Sequence, residues 1–289
     1  MGIRKIHGWL PDNPDLRDYT PESEKIAPLL IRMLSFGAAK SLPQTADLRA
    51  WCPPVDDQGN LGSCTAHAGT GLIEYFERRT FSKFIHGSRL FLYKTTRNLL
   101  HLQGDSGATN RATMGSLVLF GLPPEEYWPY QNEQLDQEPS AFCYAFALHY
   151  RALSYYRLDP ANATGKSVLQ SIKTNLAAGL PAIFGTPIYS SISDAEKTGK
   201  IPFPAPNERL LGGHAMLAVG YDDKMRIEQT TDKSKYNTGA LLIRNSWGQS
   251  WGETGYGWLP YEYVLKRLAV DWWSLIKSDW LDTGEFVNE

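Results

Sequence analysis

From Ser63 onward the chain repeats apolar or small residues at helical spacing: Thr65, Ala68, Gly69, Leu72, Ile73 and Phe76 recur at i, i+3, i+4, i+7, i+8 and i+11. That pattern predicts a helix with one buried face and Ser63 as its N-cap, and its small residues permit close packing. Further helices are expected around 88–101, 110–120 and 166–178, the last stopped by Gly179 before the apolar run Leu180 to Phe184. After about residue 180 the texture becomes short apolar or aromatic runs broken by Gly, Pro and polar loops, which is strand-like. His214 to Tyr221 and Ala240 to Asn245 read as two strands joined by the polar loop Asp222 to Gly239. Ahead of all this, residues 8–15 read as turns, and Leu29, Leu30, Met33 and Leu34 give a short apolar helix opened by Pro28. The expectation is an α+β protein with two lobes. Residues 1–41 form an arm and 42–289 one domain, its helical lobe mainly 58–150 and its sheet lobe mainly 151–289.

Composition narrows the classes of function. The chain has 289 residues, 42% hydrophobic and 12% aromatic, enough for a substantial core. With 29 basic against 31 acidic residues the formal charge is −2, and no block of like charge offers a nucleic-acid surface. No apolar stretch approaches the roughly 18 to 20 residues needed to cross a bilayer. The start turns polar and Pro-rich before an export signal could form, and residue 6 is Ile where a myristoylation motif wants Ser or Thr. Localisation stays open. The cysteines, Cys52, Cys64 and Cys143, form an odd set that suits one reactive thiol, with Cys52 and Cys143 either buried or bridged.

Three segments carry candidate chemistry. Gln58-Gly59-Asn60-Leu61-Gly62-Ser63-Cys64 puts a thiol on the first turn of a helix, where unpaired backbone N–H groups favour thiolate over thiol. Gly212-Gly213-His214-Ala215 sets an imidazole at the head of a strand, flanked by glycines that let another chain approach closely. Asn245-Ser246-Trp247-Gly248 supplies a carboxamide able to orient a histidine, beside an indole. A lone helical cysteine is usually an inert small residue; the ordered recurrence of these three segments favours a nucleophile instead.

Gln58 six residues before Cys64, then Gly-His214-Ala, then Asn245-Ser-Trp-Gly-x-x-Trp-Gly-x-x-Gly-Tyr together resemble the papain-type (C1) cysteine peptidases over roughly residues 42–260. The resemblance implies a helical left lobe and an antiparallel, barrel-like right lobe with the active site in the cleft between them. It implies further that Cys64 attacks a peptide carbonyl, His214 holds and returns the proton, Asn245 orients His214, and Gln58 completes an oxyanion hole. Trp247 would shield the Asn245–His214 contact, Gly107 would pair with substrate backbone, and Ala215 would wall an apolar pocket. Gly8-Trp9-Leu10-Pro11-Asp12 and Asp15-x-Arg17-Asp18-Tyr19 resemble the leader of bacterial-type members, so the arm is expected to lie through the cleft as a removable propeptide, with Leu42-Pro43 where mature enzymes begin. Leu61 and Thr65 depart from the family, which commonly has a cysteine and an aromatic there; the usual first disulfide is therefore absent.

His67, three residues after Cys64, points the same way along its helix and has no further ligands at recognisable spacing. It is read as part of a polar flank with Gly71, Glu74 and Arg78, without a catalytic role. No metal or other cofactor is expected, the partner is a peptide or protein substrate, and the chain is expected to act as a monomer. Two other readings use the same residues: a thiol acyltransferase or deamidase, and a catalytically silent binding protein.

Overall fold

The computed structural model describes residues 8–34 and 41–276. The first seven residues considered for export and lipidation lie outside this set, as do the side chains of Met33 and Leu34. An extended arm leads into α1 (Ala27–Leu34), followed by β1 (Thr45–Asp47). The helical part comprises α2 (Cys64–Phe81), α3 (Arg89–Leu99), α4 (Asn110–Leu119) and the short α5 (Ala141–Ala147). The remainder runs β2 (Ser154–Arg157), α6 (Gly165–Ala177), β3 (Ala182–Tyr189), β4 (Leu210–Glu228), β5 (Tyr236–Arg244), β6 (Tyr256–Pro260), α7 (Glu262–Leu265) and β7 (Val270–Ile276). The strands make one antiparallel sheet in the order β2-β7-β3-β4-β5-β6, with β1 added to β4. Its path does not close on itself, so the expected barrel-like lobe is an open sheet. None of the helices described is long and apolar enough to cross a membrane.

The expected helices are all present, α3, α4 and α6 being capped by Ser88, Thr109 and Thr164, whose hydroxyls accept N–H groups of the first turn. Ser63 does stand at the N-cap of α2, but its side chain caps nothing and is bonded elsewhere. More important, α2 is not amphipathic: almost every residue from Cys64 to Glu77 is buried, because the helix lies between the sheet and the helices α3 and α4. Of the supposed polar flank, His67, Gly71 and Glu74 are therefore interior, while Arg78 is half-buried. Glu74 is fully buried, with the guanidinium of Arg89 on both its oxygens (3.0 Å each) and the Gly87 N–H on Oε1 (3.1 Å).

Two strand expectations change as well. The polar segment Asp222 to Gly239 is mostly not a loop, since β4 and β5 stay paired from Leu217–Arg244 out to Glu228–Tyr236, leaving only the tip. Most side chains there face solvent, which explains the polar sequence, while Ile227 still reaches the core and Met225 packs against it. The short β2 was not expected, since its four residues Ser-Tyr-Tyr-Arg carry too little pattern to announce a strand. Cys52, Cys64 and Cys143 are all free thiols, and all are buried.

The Glu74–Arg89 pair yields a stability prediction. Arg89→Met leaves a buried carboxyl without its cation, and is expected to lower the unfolding free energy by about 3–5 kcal/mol. Adding Glu74→Gln should recover part of that loss, read from urea midpoints at constant slope.

Candidate active site

Cys64 is the first residue of α2, as its position before the apolar repeat requires. Its Sγ accepts the backbone N–H of Ala215 on β4 (3.3 Å), so the strand that carries His214 touches the sulfur directly. The helix N-terminus alone would favour thiolate, yet the sulfur is entirely shut off from water. Burial outweighs the N–H groups of Ala215 and Thr65 and pushes the thiol up to about 12. In this arrangement the Cys64 thiol is protonated, contrary to the expectation from the helix dipole.

His214 lies well inside β4, opposite Thr186 of β3, and not at a strand head. Its Nε2 meets Asn245 Oδ1 at 2.8 Å, and the same oxygen accepts the Ser246 N–H at 2.8 Å. The second bond settles the chemistry of the first. A backbone N–H can only donate, so the carboxamide must turn its oxygen this way, and Nε2 must then carry a proton. When the ring is neutral, this tautomer leaves Nδ1 without a hydrogen. The Trp247 ring covers the pair, its centroid 4.9 Å from that of His214, and Trp251 backs it edge-on at 5.6 Å.

Gln58 comes from a loop that is bound to the Asn245 loop, with 188 residues of chain between them. Its N–H donates to the Ser246 carbonyl (2.9 Å), Ser246 Oγ donates to its Oε1 (2.5 Å), and its Nε2 donates to the Leu61 carbonyl (2.8 Å). The carboxamide is thus fixed at the N-terminal end of α2. Ser246, unremarked in the sequence apart from its place in the Asn-Ser-Trp-Gly run, orients both carboxamides. His67 is buried beside Tyr130, held by the Ser63 carbonyl (3.1 Å), and burial drives its imidazole down to about 3. It is a neutral interior group and not part of a solvated flank.

The arm runs through this cleft. Gly8 lies so near the thiol that a Cβ there would stand 2.7 Å from Cys64 Sγ and 2.5 Å from the Gly62 carbonyl oxygen. The arm pairs in parallel with Ala108: the Ala108 N–H donates to the Gly8 carbonyl (2.9 Å) and the Leu10 N–H to the Ala108 carbonyl (2.9 Å). Gly107, the expected pairing residue, instead donates its N–H to the Tyr93 hydroxyl (2.9 Å). Trp9 packs with Cys64 and Ala215, and the glycines that flank its ring permit the contact, since a Cβ on Gly185 would fall 1.9 Å from the indole and one on Gly213 2.7 Å from the Trp9 carbonyl oxygen. The chain that the glycine beside His214 was expected to admit is the protein's own arm.

Further along, the arm is anchored by charge. Arg111 of α4 pairs with Asp12 (2.6 Å) and Asp18 (2.7 Å), and buried Arg157 donates to the Asp12 carbonyl (3.1 Å). Ala108, Asp271 and the Gly8-Trp9 pair were not singled out as site residues; for Gly8-Trp9 the signal was the leader-like run itself, and for Asp271 its standing as a lone acid in the apolar run Val270 to Ile276. Among the described residues no group of three or more His, Cys, Asp or Glu side chains is arranged to hold a metal ion.

Comparison with known proteins agrees with this geometry. The papain family cysteine protease pattern matches residues 42–264. An uncharacterized peptidase C1-like protein of Acanthamoeba polyphaga mimivirus is 30% identical over 94% of this chain and 86% of its own. Cysteine proteinase 3 of Entamoeba histolytica is 25% identical over 76% of this chain, which spans 63% of that protein, less than two thirds of its length. Among solved structures, xylellain, a cysteine protease from Xylella fastidiosa, superposes with a TM-score of 0.75 at 33% identity, covering 95% of this chain and 97% of that one. Procathepsin L 3 of the Tenebrio molitor larval midgut, at 19% identity, TM-score 0.61 and 83% and 71% coverage, shares the fold. With the family pattern spanning most of its length and a relative aligned almost end to end, this chain belongs to the papain family of cysteine proteases.

Proposed function

We propose that the chain hydrolyses peptide bonds through a thioester on Cys64 and is latent while its arm fills the cleft. The observation that carries the reading is the contact of the Cys64 sulfur with Ala215, one residue from an imidazole whose tautomer is fixed by Asn245 and Ser246. His214 Nδ1, unprotonated in that tautomer, then takes the thiol proton, giving thiolate and imidazolium. The thiolate forms a bond to the substrate carbonyl carbon while the C=O π pair moves to oxygen. We assign the second N–H of Gln58 Nε2 and the Cys64 N–H to that oxygen, donors whose loss typically costs on the order of 10²-fold or more in rate. Collapse breaks the C–N bond, and the leaving amine takes the proton from Nδ1. Water then attacks the thioester, passes its proton to His214 and releases the acid and the free thiol.

Latency follows from the Gly8 contact. The arm does not offer a carbonyl to the sulfur, because the Gly8 oxygen is held by the Ala108 N–H. It covers the thiol with main chain, and the loss of water keeps the sulfur protonated. Ala108 is the residue we assign to pairing with substrate backbone, in place of Gly107.

In the full-length chain, Gly8→Val cannot keep the arm on the sulfur without steric overlap. It is expected to raise hydrolysis of a fluorogenic peptide mixture on the order of tenfold or more over the unsubstituted chain; an unchanged rate would show that the arm is only structural support. Adding Cys64→Ala should abolish turnover, whereas His67→Gln should retain most of it, the reverse order sinking the assignment of the base. Analysis of the released products separates transfer to water from transfer to an amine.

Covering and uncovering the thiol also changes its titration. The pH at which Cys64 becomes half-reactive toward iodoacetamide, followed by peptide mapping, should stand far above neutrality in the unsubstituted chain and fall in the Gly8→Val chain, where water and His214 both favour the thiolate. An identical midpoint in the two chains contradicts the desolvation account.

A further inference from the structure

Ser63 immediately precedes Cys64, and unlike the serine and threonines that open α3, α4 and α6, its hydroxyl accepts no N–H of its own helix. It meets the hydroxyl of Tyr130, in the loop between α4 and α5, at 2.5 Å, and that hydroxyl stands 3.0 Å from the Gln58 carbonyl oxygen. Counting hydrogens fixes the direction. A carbonyl can only accept, so Tyr130 gives its single hydrogen to Gln58, and the hydrogen between the two hydroxyls comes from Ser63. Burial keeps the phenol protonated, so it remains a donor. The two bonds run the same way and polarise each other, ending on Gln58.

Tyr130 is itself firmly seated. Its N–H donates to Glu125 Oε1 (2.6 Å), its ring meets that of His67 edge-on at 5.2 Å, and two residues earlier the Trp128 carbonyl accepts Ser88 Oγ (2.5 Å) from the start of α3. The segments joined by its hydroxyl are the two that carry the donors assigned above to the substrate oxygen. Gln58 supplies one through its side chain, and the peptide link from Ser63 to Cys64 supplies the other. Gln58 is already bonded on its amino side to the Ser246 carbonyl, and Tyr130 takes hold of its carbonyl side.

Resting on the peptidase reading above, we propose that Tyr130 is a positioning residue, its hydroxyl bridging Gln58 and Ser63 and so setting the spacing of the two oxyanion donors. Such donors act because they need no rearrangement as charge develops on the oxygen. A clamp on their spacing therefore acts on the transition state. Ground-state binding of the peptide and the plain reactivity of the sulfur do not depend on it.

The test adds Tyr130→Phe, which keeps the ring and removes only the hydroxyl, to the full-length Gly8→Val chain. With a fluorogenic peptide, kcat should fall on the order of tenfold while KM stays within about twofold. A tripeptide aldehyde, whose carbonyl carbon bonds to Sγ as the C=O pair moves to oxygen, should bind on the order of tenfold more weakly. Iodoacetamide, which exchanges iodide for sulfur and builds no charge on a carbonyl oxygen, should alkylate Cys64 at a rate within about twofold of the parent. Ser63→Ala cuts the same bridge at its other end, so the double variant should bind the aldehyde no worse than Tyr130→Phe alone. Aldehyde affinity that falls no further than the alkylation rate, or losses from the two substitutions that multiply, overturns the proposal. A Gly8→Val chain that cleaves no peptide defeats the peptidase reading, and the aldehyde and iodoacetamide measurements then decide on Tyr130 by themselves; one that binds no aldehyde overturns the oxyanion site and the proposal with it.

Discussion

The arrangement depends on the balance between a helix N-terminus that favours a negative sulfur and a burial that forbids it. A thiol at the first turn of α2 receives N–H groups from its own helix and from Ala215, which stabilise the thiolate. Desolvation opposes them and wins as long as Gly8 lies on the sulfur. The Cys64 thiol is thus held protonated in its place beside Ala215, and what holds it so is the exclusion of water. Only glycine can stand at position 8, since any Cβ would overlap Sγ and the Gly62 carbonyl oxygen.

Around that sulfur the parts are locked by bonds between distant loops. Ser246 sends its N–H to Asn245 Oδ1, its carbonyl to the Gln58 N–H and its hydroxyl to Gln58 Oε1. One residue thereby fixes the carboxamide that orients His214 and the carboxamide assigned to the oxyanion. Trp247 and Trp251 cover these bonds, which keeps water from competing with the hydrogen bond to His214. The arm is fastened differently, by backbone pairing at Ala108, by the indole on Asp271, and by Asp12 and Asp18 on Arg111. Ion pairs at the rim and a single peptide ladder are weaker than a packed core, and it is Ile26 and Leu30 that tie the arm's far end into the main core.

Much of this was legible in the sequence because the signals are local. Helical periodicity locates α2, α3, α4 and α6, and the spacing of Gln58 from Cys64 together with the runs around His214 and Asn245 picks out the groups that meet in the cleft. The failures have a common cause. His67 and Glu74 were read as solvated because polar residues on a helix usually face water, but α2 is enclosed on all sides and satisfies them internally with Ser63, Tyr130 and Arg89. The β4–β5 hairpin was cut short because its outer half is mostly polar, with Ile227 the one side chain there that reaches the core. The resemblance pointed to Gly107 for backbone pairing, while the arm pairs with its neighbour Ala108 and the Gly107 N–H goes to the Tyr93 hydroxyl.

What the amino-acid order determined by itself is the inventory: a thiol at a helix start, an imidazole beside glycines, a carboxamide beside indoles, and an arm rich in turns. Which of these are charged, which are reachable and what the arm does were decided by tertiary structure. Protonation depends on how much water surrounds a group, and Cys64, His67 and Asp271 take their states from residues dozens to hundreds of positions away. Burial and the contact of Trp9 with Asp271, 262 residues apart, are properties of the folded chain alone, for no local window contains both partners.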